Sequence, residues 1–398
     1  MNSQTFRLVL LVSFAHAMVH MFEHALPAVE LMIADDLEVT KTQTGVLGTA
    51  WRLPFGLGAL LAGWLTDRYG SKRMLLVYLV GCMMTALGVW WAPSWLWLFV
   101  MMLAMGTFAS IYHPAGLSLL SRETTPETRG KALGWHGIFG SLGIALAPFL
   151  ASVVFSTGTV DWREYYLVLI PPAFLIAVLL LRLKVTSEPA RDQPRTDSKA
   201  TEPPSNHPIP WKRFLLLVMA GALSGFVYAS FLHFLPRYLD KTGLRPDGWS
   251  AESFRNSLAT ITLLCAAVGQ GIAGRIADPS RLHRQLTTIL LLNVPPLVWM
   301  AFADGPFRLL ATCLLALIHF MNQPIYNSLI AEMIPDSRRS TGYGFSNLMC
   351  FGIGAFGPGL TGLILTDRAM YLTLAAIATF SGLISFTLWR VPRADRDA

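Results

Sequence analysis

The chain has 398 residues, 53% of them hydrophobic and only 14% charged, with a mean hydropathy of +0.49. That composition excludes a water-soluble globular protein of this length, in which about a quarter of the residues would be charged. A net charge of +7 brings a nucleic-acid ligand to mind, but the placement of the basic residues gives it another cause.

Twelve apolar blocks follow one another, each long enough to cross a hydrocarbon core of about 30 Å as a helix. Span 1 (5–33) carries His16, His20, Glu23 and His24 ahead of Pro27. It is too long for a signal peptide and no small-residue cleavage site follows it, so it is expected to stay. Span 2 (44–69) holds Arg52, and span 3 (73–92) has no charged residue or histidine between Leu75 and Trp91. Span 4 (95–121) contains Tyr112-His113-Pro114, and span 5 (130–156) contains His136 among Gly134, Gly137, Gly140 and Gly143. Span 6 (164–183) is apolar from Leu167 to Leu181. Residues 184–210 are rich in Pro, Ser and charge and cannot bury apolar area, which predicts a flexible tether. Span 7 (211–238) ends near His233, span 8 (252–277) holds Gln270, and span 9 (284–303) has Asn293 as its interior polar residue. Span 10 (306–333) carries His319, Asn322, Gln323 and Tyr326; span 11 (339–366) is glycine-rich, and span 12 (368–390) is apolar from Leu372 to Leu388. Cys82, Cys265, Cys313 and Cys350 all lie within spans and imply no disulfide framework.

The second six spans repeat the first. His24-Ala-Leu-Pro27 returns as His233-Phe-Leu-Pro236, and Gly63-x-x-x-Asp67 as Gly274-x-x-x-Asp278. Pro114-x-x-x-Ser118 returns as Pro324-x-x-x-Ser328, Pro126-Glu-Thr-Arg129 as Pro335-Asp-Ser-Arg338, and Ala147-Pro148 as Gly357-Pro358. The offsets stay between 209 and 211 residues, so one unit occurs twice, as in many membrane carriers. The expected fold class is an all-α membrane protein, two six-helix bundles at 1–183 and 211–398 joined by the 184–210 tether. An even number of spans per copy keeps the copies parallel.

Charge sets the expected orientation. With the N-terminus inside, 22 of the 31 Lys and Arg fall in cytoplasmic loops, eight fall on the other side, and Arg52 lies within a span. By the positive-inside rule both termini are expected in the cytoplasm, in a bacterial-type inner membrane. The net positive charge then reflects topology and anionic lipid, and no nucleic-acid partner is needed.

GWLTDRYGSKR, from Gly63 through Asp67, Arg68 and Gly70 to Arg73, resembles the G-x-L-x-D-R-x-G-x-[KR]-[KR] signature of the major facilitator superfamily. The physical sense of the pattern is a tight turn: Gly63 allows close helix contact, Asp67 can cap or pair, and Gly70 lets the chain reverse. Pro126-Glu-Thr-Arg129-Gly130 is similar to that superfamily's next cytoplasmic loop. The second copy departs from the signature, with Pro279 where Arg68 stands. Within the superfamily, His20, Tyr112-His113-Pro114 and the glycine-rich fifth span resemble the fosmidomycin-resistance branch of efflux carriers, with Glu23-His24 in place of that branch's Asn-Asp pair. The resemblance implies that spans 1, 4, 7 and 10 line a central cavity while 3, 6, 9 and 12 face lipid. The polar residues agree, since His16, His20, Glu23, His24, His113, His233 and His319 all fall in the four lining spans.

Span 1 holds the leading candidates. His16, His20 and His24 recur every four residues on an arc of about 80°, with Glu23 on the same side. Counting about 1.5 Å per residue puts Glu23 and Arg52 at similar depth, so a pair is expected. Glu23, Arg52, His20 and His24 are read as the proton-coupling group, against the alternative of a static pair fixing two helices. Histidines at this spacing near Met18 and Met21 also invite a metal reading, but no Cys or acidic cluster completes a cage, and no metal or cofactor is expected. Tyr112, His113, His233, His319, Asn322, Gln323 and Tyr326 are the expected substrate wall, with helix packing as their alternative. His136 and Gln270 are second-rank. Gly63, Asp67, Arg68, Gly70, Arg73 and Arg129 are read as gating residues.

The chain is therefore expected to be no enzyme but a monomeric secondary carrier, moving a small organic solute by alternating access with protons as the coupling partner. Efflux by antiport comes first, from the branch resemblance, and proton-coupled uptake second. A transition-metal carrier or a polytopic membrane enzyme is more distant, because no compact nucleophile or His/Asp/Glu motif stands in a loop. A primary pump lacks its phosphate-binding loop.

Overall fold

The structure, a computed structural model, describes residues 3–183, 185, 209–335 and 339–390. The tether lies outside them except for 185, 209 and 210, as do Asp336, Ser337 and Arg338 of the second Pro-x-x-Arg repeat. The described residues are helical, without strands. In chain order the spans are α1 (Ser3–Asp36), α2 (Lys41–Tyr69), α3 (Ser71–Trp90), α4 (Trp95–Ala109 and Tyr112–Glu123), α5 (Pro126–Val154) and α6 (Trp162–Val168 and Ile170–Arg182). The second half gives α7 (Trp211–Leu239), α8 (Ala251–Ile276), α9 (Leu282–Leu292 and Val294–Phe302), α10 (Phe307–Phe320 and Asn322–Met333), α11 (Arg339–Gly354 and Phe356–Gly362) and α12 (Asp367–Arg390). Eleven are long and apolar enough to cross a membrane; α11, broken at Ala355, completes the twelve.

The breaks have one cause. Proline lacks an N–H and its ring crowds the carbonyl four residues earlier. Pro114 accounts for the break after Ala109, Pro324 for that after Phe320, and Pro358 for that after Gly354. Pro171–Pro172 and Pro295–Pro296 do the same in α6 and α9. Pro27, Pro54, Pro148 and Pro236 are absorbed without a break. Between α2 and α3 the chain reverses at Gly70 with φ of 89°, a conformation that favours glycine.

The halves meet at one end and part at the other. At the closed end, Arg237 of α7 grips Glu30 of α1 with Nε and Nη2, each 2.8 Å from a carboxylate oxygen, and the Thr44 hydroxyl donates to the same carboxylate. Thr42 donates to the Gly362 carbonyl at 3.0 Å, Thr49 to that of Ala355 at 2.8 Å, and Asn256 to that of Ala28 at 2.9 Å. Gly45 lies so close to the Pro358 carbonyl that any side chain there would overlap it. At the open end, Gly130, Gly134 and Gly137 of α5 and Gly271 and Gly274 of α8 face empty space.

Glu30 is the buried half of the latch, with 1% of its side chain exposed. Removing one member of a buried pair costs about 3–5 kcal/mol, and about 1.4 kcal/mol moves a two-state ratio tenfold. Glu30→Gln should therefore shift the population at least tenfold toward opening at this end. Spin-label distances between the 36–41 and 240–250 loops report it; an unchanged distance distribution would refute the latch.

Candidate functional site

Near the middle of α1, Glu23 is almost wholly buried and both of its oxygens are taken. Arg52 of α2 donates from Nη1 to Oε1 at 2.6 Å, and His20 Nδ1 lies 2.7 Å from Oε2. His20 continues the line through Nε2, 3.2 Å from His16 Nε2, and His16 Nδ1 ends it on the His136 carbonyl at 2.7 Å. Spacings of three and four residues put His16, His20 and Glu23 on one helix face, so the order along the line follows from α-helical geometry. His16 is clamped from two other helices: the His136 ring of α5 stacks on it at 3.9 Å and the Tyr112 ring of α4 at 5.1 Å. His113 stands edge-on to His16 at 5.2 Å and near His20 at 5.9 Å. His24 Nε2 is 3.8 Å from Glu23 Oε2 and makes no hydrogen bond.

The second half approaches through α7. The Arg52 guanidinium lies over the Tyr228 ring at 5.7 Å, an aromatic contact that suits a cation. Its Nη2 is buried without a partner. A charged pair, a free guanidinium donor and several histidines thus meet where the two halves face each other.

The other expected wall residues divide. Gln323 is exposed and takes a hydrogen bond from Gln270 at 2.6 Å, while Ser141 donates to the same Gln270 across the halves. Asn322 donates to Ser224 at 2.9 Å and keeps a free Oδ1. His319 lies 3.1 Å from Asn293 of α9 and stacks at 6.0 Å with Tyr228, while the Tyr326 hydroxyl lies 2.6 Å from Ser346, so each is tied to a neighbouring helix. Their polar arc had a direction the sequence did not supply. The Tyr112 hydroxyl donates to the Val12 carbonyl at 2.7 Å, which also makes it a packing residue with its ring turned to His16. His233 is buried against Gly48 at the closed end, away from Glu23's hydrogen bonds.

At the open end Asp67 is 76% exposed and pairs with Arg122 at 3.2 Å within its own half. Arg68 lies over the Trp64 ring, Arg73 is exposed, Gly63 approaches Pro114, and Arg129 donates to the Ser121 and Thr124 carbonyls. Sequence reading missed the Glu30–Arg237 latch. A carboxylate inside span 1 was the available signal. Of the residues placed second, His136 belongs to the network, while Gln270 bonds Ser141 and Gln323 apart from it.

Two trios bring possible metal-ligand atoms within 4.8 Å of one another: His16, His20 and His113, and His20, Glu23 and His24. Both depend on His20, whose two nitrogens are already engaged by Glu23 and His16. Within them, hydrogen bonds join His16 to His20 and His20 to Glu23.

The sequence matches the family described as Major Facilitator Superfamily over residues 9–358. A probable 4-methylmuconolactone transporter of Cupriavidus pinatubonensis is 26% identical over 84% of this chain and 77% of its own length. The hexuronate transporter of Bacillus subtilis is 22% identical over 94% and 92%. Among solved structures, the xylose transporter of E. coli in an inward-open conformation aligns over 98% of both chains with a TM-score of 0.79 and 11% identity.

With the open end apart, Asp67 has no partner across the halves among the described residues. A carboxylate that reaches a helix N-terminus gains about 0.3–1 kcal/mol, or up to about 2 when partly buried, and the start of α11 is the expected partner of Asp67 when the open end closes. Asp67→Asn should slow turnover more than it weakens substrate binding and raise cysteine labelling inside the open-end cavity. Unchanged labelling with unchanged turnover would leave Asp67 as a turn residue.

Proposed function

Since the chain belongs to the Major Facilitator Superfamily, we propose that it is a proton-coupled carrier of a small organic anion. Its class is secure at the coarser level: it is a multi-pass membrane transporter of a small solute and no enzyme. The finer reading rests on one observation, the buried Glu23 held between Arg52 and His20.

Ionised, Glu23 neutralises Arg52; protonated, it leaves the guanidinium free for another anion. Proton and anion therefore favour each other's binding, which is the requirement for symport. Antiport, the direction implied by the efflux branch, needs the two to compete for one group. The geometry thus favours symport over the antiport that comes first from the sequence. The unpartnered Arg52 Nη2 and the free His24 Nε2 add donors suited to oxyanions, and one relative is named for hexuronate, a carboxylate by its name.

In this reading the halves, 1–183 and 211–398, rock as two bundles about the site, tied by 184–210, in a single chain acting alone. The open end is cytoplasmic and both termini lie there, as the positive-inside count expects. The cytoplasmic membrane is its place.

Glu23→Gln should abolish accumulation driven by a pH gradient in proteoliposomes while leaving solute exchange largely intact. Full gradient-driven transport by the variant would sink proton coupling through Glu23. A binding panel matched in size but differing in charge should rank anions above permanent cations, because protonation of Glu23 leaves the Arg52 charge uncompensated. A preference for cations would reverse the substrate class.

A further inference from the structure

The line from Glu23 to the His136 carbonyl can be counted for protons. Three contacts stand in series: His20 Nδ1 to Glu23 Oε2 at 2.7 Å, His20 Nε2 to His16 Nε2 at 3.2 Å, and His16 Nδ1 to the His136 carbonyl at 2.7 Å. Each needs one hydrogen between its heavy atoms. The carbonyl has none to give, so His16 Nδ1 carries the last, and a neutral His16 then presents a bare Nε2. His20 must answer with Nε2–H. If His20 is neutral too, its Nδ1 is bare and faces a carboxylate oxygen, which is repulsive. Two neutral imidazoles and an ionised carboxylate supply two hydrogens where three are needed.

Resting on the reading of Glu23 as the coupling carboxylate, we propose that His16, His20 and Glu23 form a ladder holding one transferable proton in the arrangement open at the Gly130 end, with His20 as its port to cavity water. Three forms share the same count: Glu23 as the acid, His20 as imidazolium, or His16 as imidazolium. They interconvert by hops along the two existing hydrogen bonds, with no side chain rotating. His16 is a positioning residue, since its ring is locked between the His136 and Tyr112 rings and cannot turn its Nε2 away from His20. The port follows from exposure: the His20 side chain is 12% accessible and that of Glu23 2%. The groups facing the ladder are Arg52 on α2, Tyr112 and His113 on α4, His136 on α5, Tyr228 on α7 and His24 on α1 itself. When the proton leaves, two lone pairs face each other at one rung and that contact must open, which ties proton release to local rearrangement.

The test is ¹⁵N NMR of the full chain labelled at histidine in lipid nanodiscs, with His16 and His20 assigned from the His16→Gln and His20→Gln spectra. The expected result near neutral pH is His16 protonated at Nδ1, with His20 carrying its hydrogen on Nε2, or doubly protonated, or neutral at Nδ1–H beside a doubly protonated His16. Raising the pH should convert His20 to the Nδ1–H tautomer in a one-proton step. His16→Phe keeps a ring in the stack but removes the bare acceptor that holds the loaded form, so the step should fall by about one pH unit, a tenfold loss of proton affinity. His136→Phe keeps both the stacked ring and the carbonyl and should leave the step in place. Neutral His16 beside a neutral Nδ1–H His20 in the wild type at neutral pH would overturn the ladder. So would an unmoved step in His16→Phe, or one equivalent of zinc in the purified chain that His20→Gln releases. Failure here with coupling still lost in Glu23→Gln would spare the carrier reading. A correct proton count with coupling retained in Glu23→Gln would sink that reading and leave the ladder.

Discussion

An ionised carboxylate midway through a membrane span costs several kcal/mol unless a partner and hydrogen bonds compensate it. In this protein Arg52 supplies the partner and His20 the second bond. Most of the site follows from that requirement. The pair fixes α1 against α2 and sets the rotation of α1 that turns His16 toward α4 and α5. It also brings a guanidinium under Tyr228 of the opposite half. A hydrophobic substitute would pack as well, but it would bring no charge to the place where the two halves face each other.

The two ends are built with different chemistry. The closed end uses backbone carbonyls as acceptors for Thr42, Thr49 and Asn256 and one buried ion pair. Its contacts are short and glycine-lined, so they form together or not at all. The open end carries basic and acidic groups that pair within their own half, such as Asp67 with Arg122. Exposed pairs of this kind are weak and quickly exchanged. One end is therefore held by short contacts across the halves, and the other carries exposed pairs confined to one half.

Much of this was legible from residues. The spans, the repeat and the Glu23–Arg52 pair came from lengths, offsets and depth counted in residues, because helices in lipid have one geometry. The His16–His136 stack did not. It depends on how α5 is rotated against α1, and glycines such as Gly140 and Gly143, which let the two backbones approach, leave that rotation open in the sequence. His319 and Tyr326 lie on one arc as counted, yet arcs have no sense of inward until neighbours are known. Glu30 and Arg237 escaped for a simpler reason, since both stand near the ends of their spans and neither was given a role.

The proline breaks carry a mechanical consequence. In α4, α10 and α11 they fall within the length of the span, and each leaves a carbonyl without its helical donor. Bending stiffness is lowest at those points, so a span that crosses the membrane need not move as one rod. The half next to the parted end can swing about its break while the half beyond it stays packed. Motion at one face of the membrane is then mechanically insulated from the other. A carrier so jointed can shut one mouth before it releases the opposite one, and never has to leave both open at once.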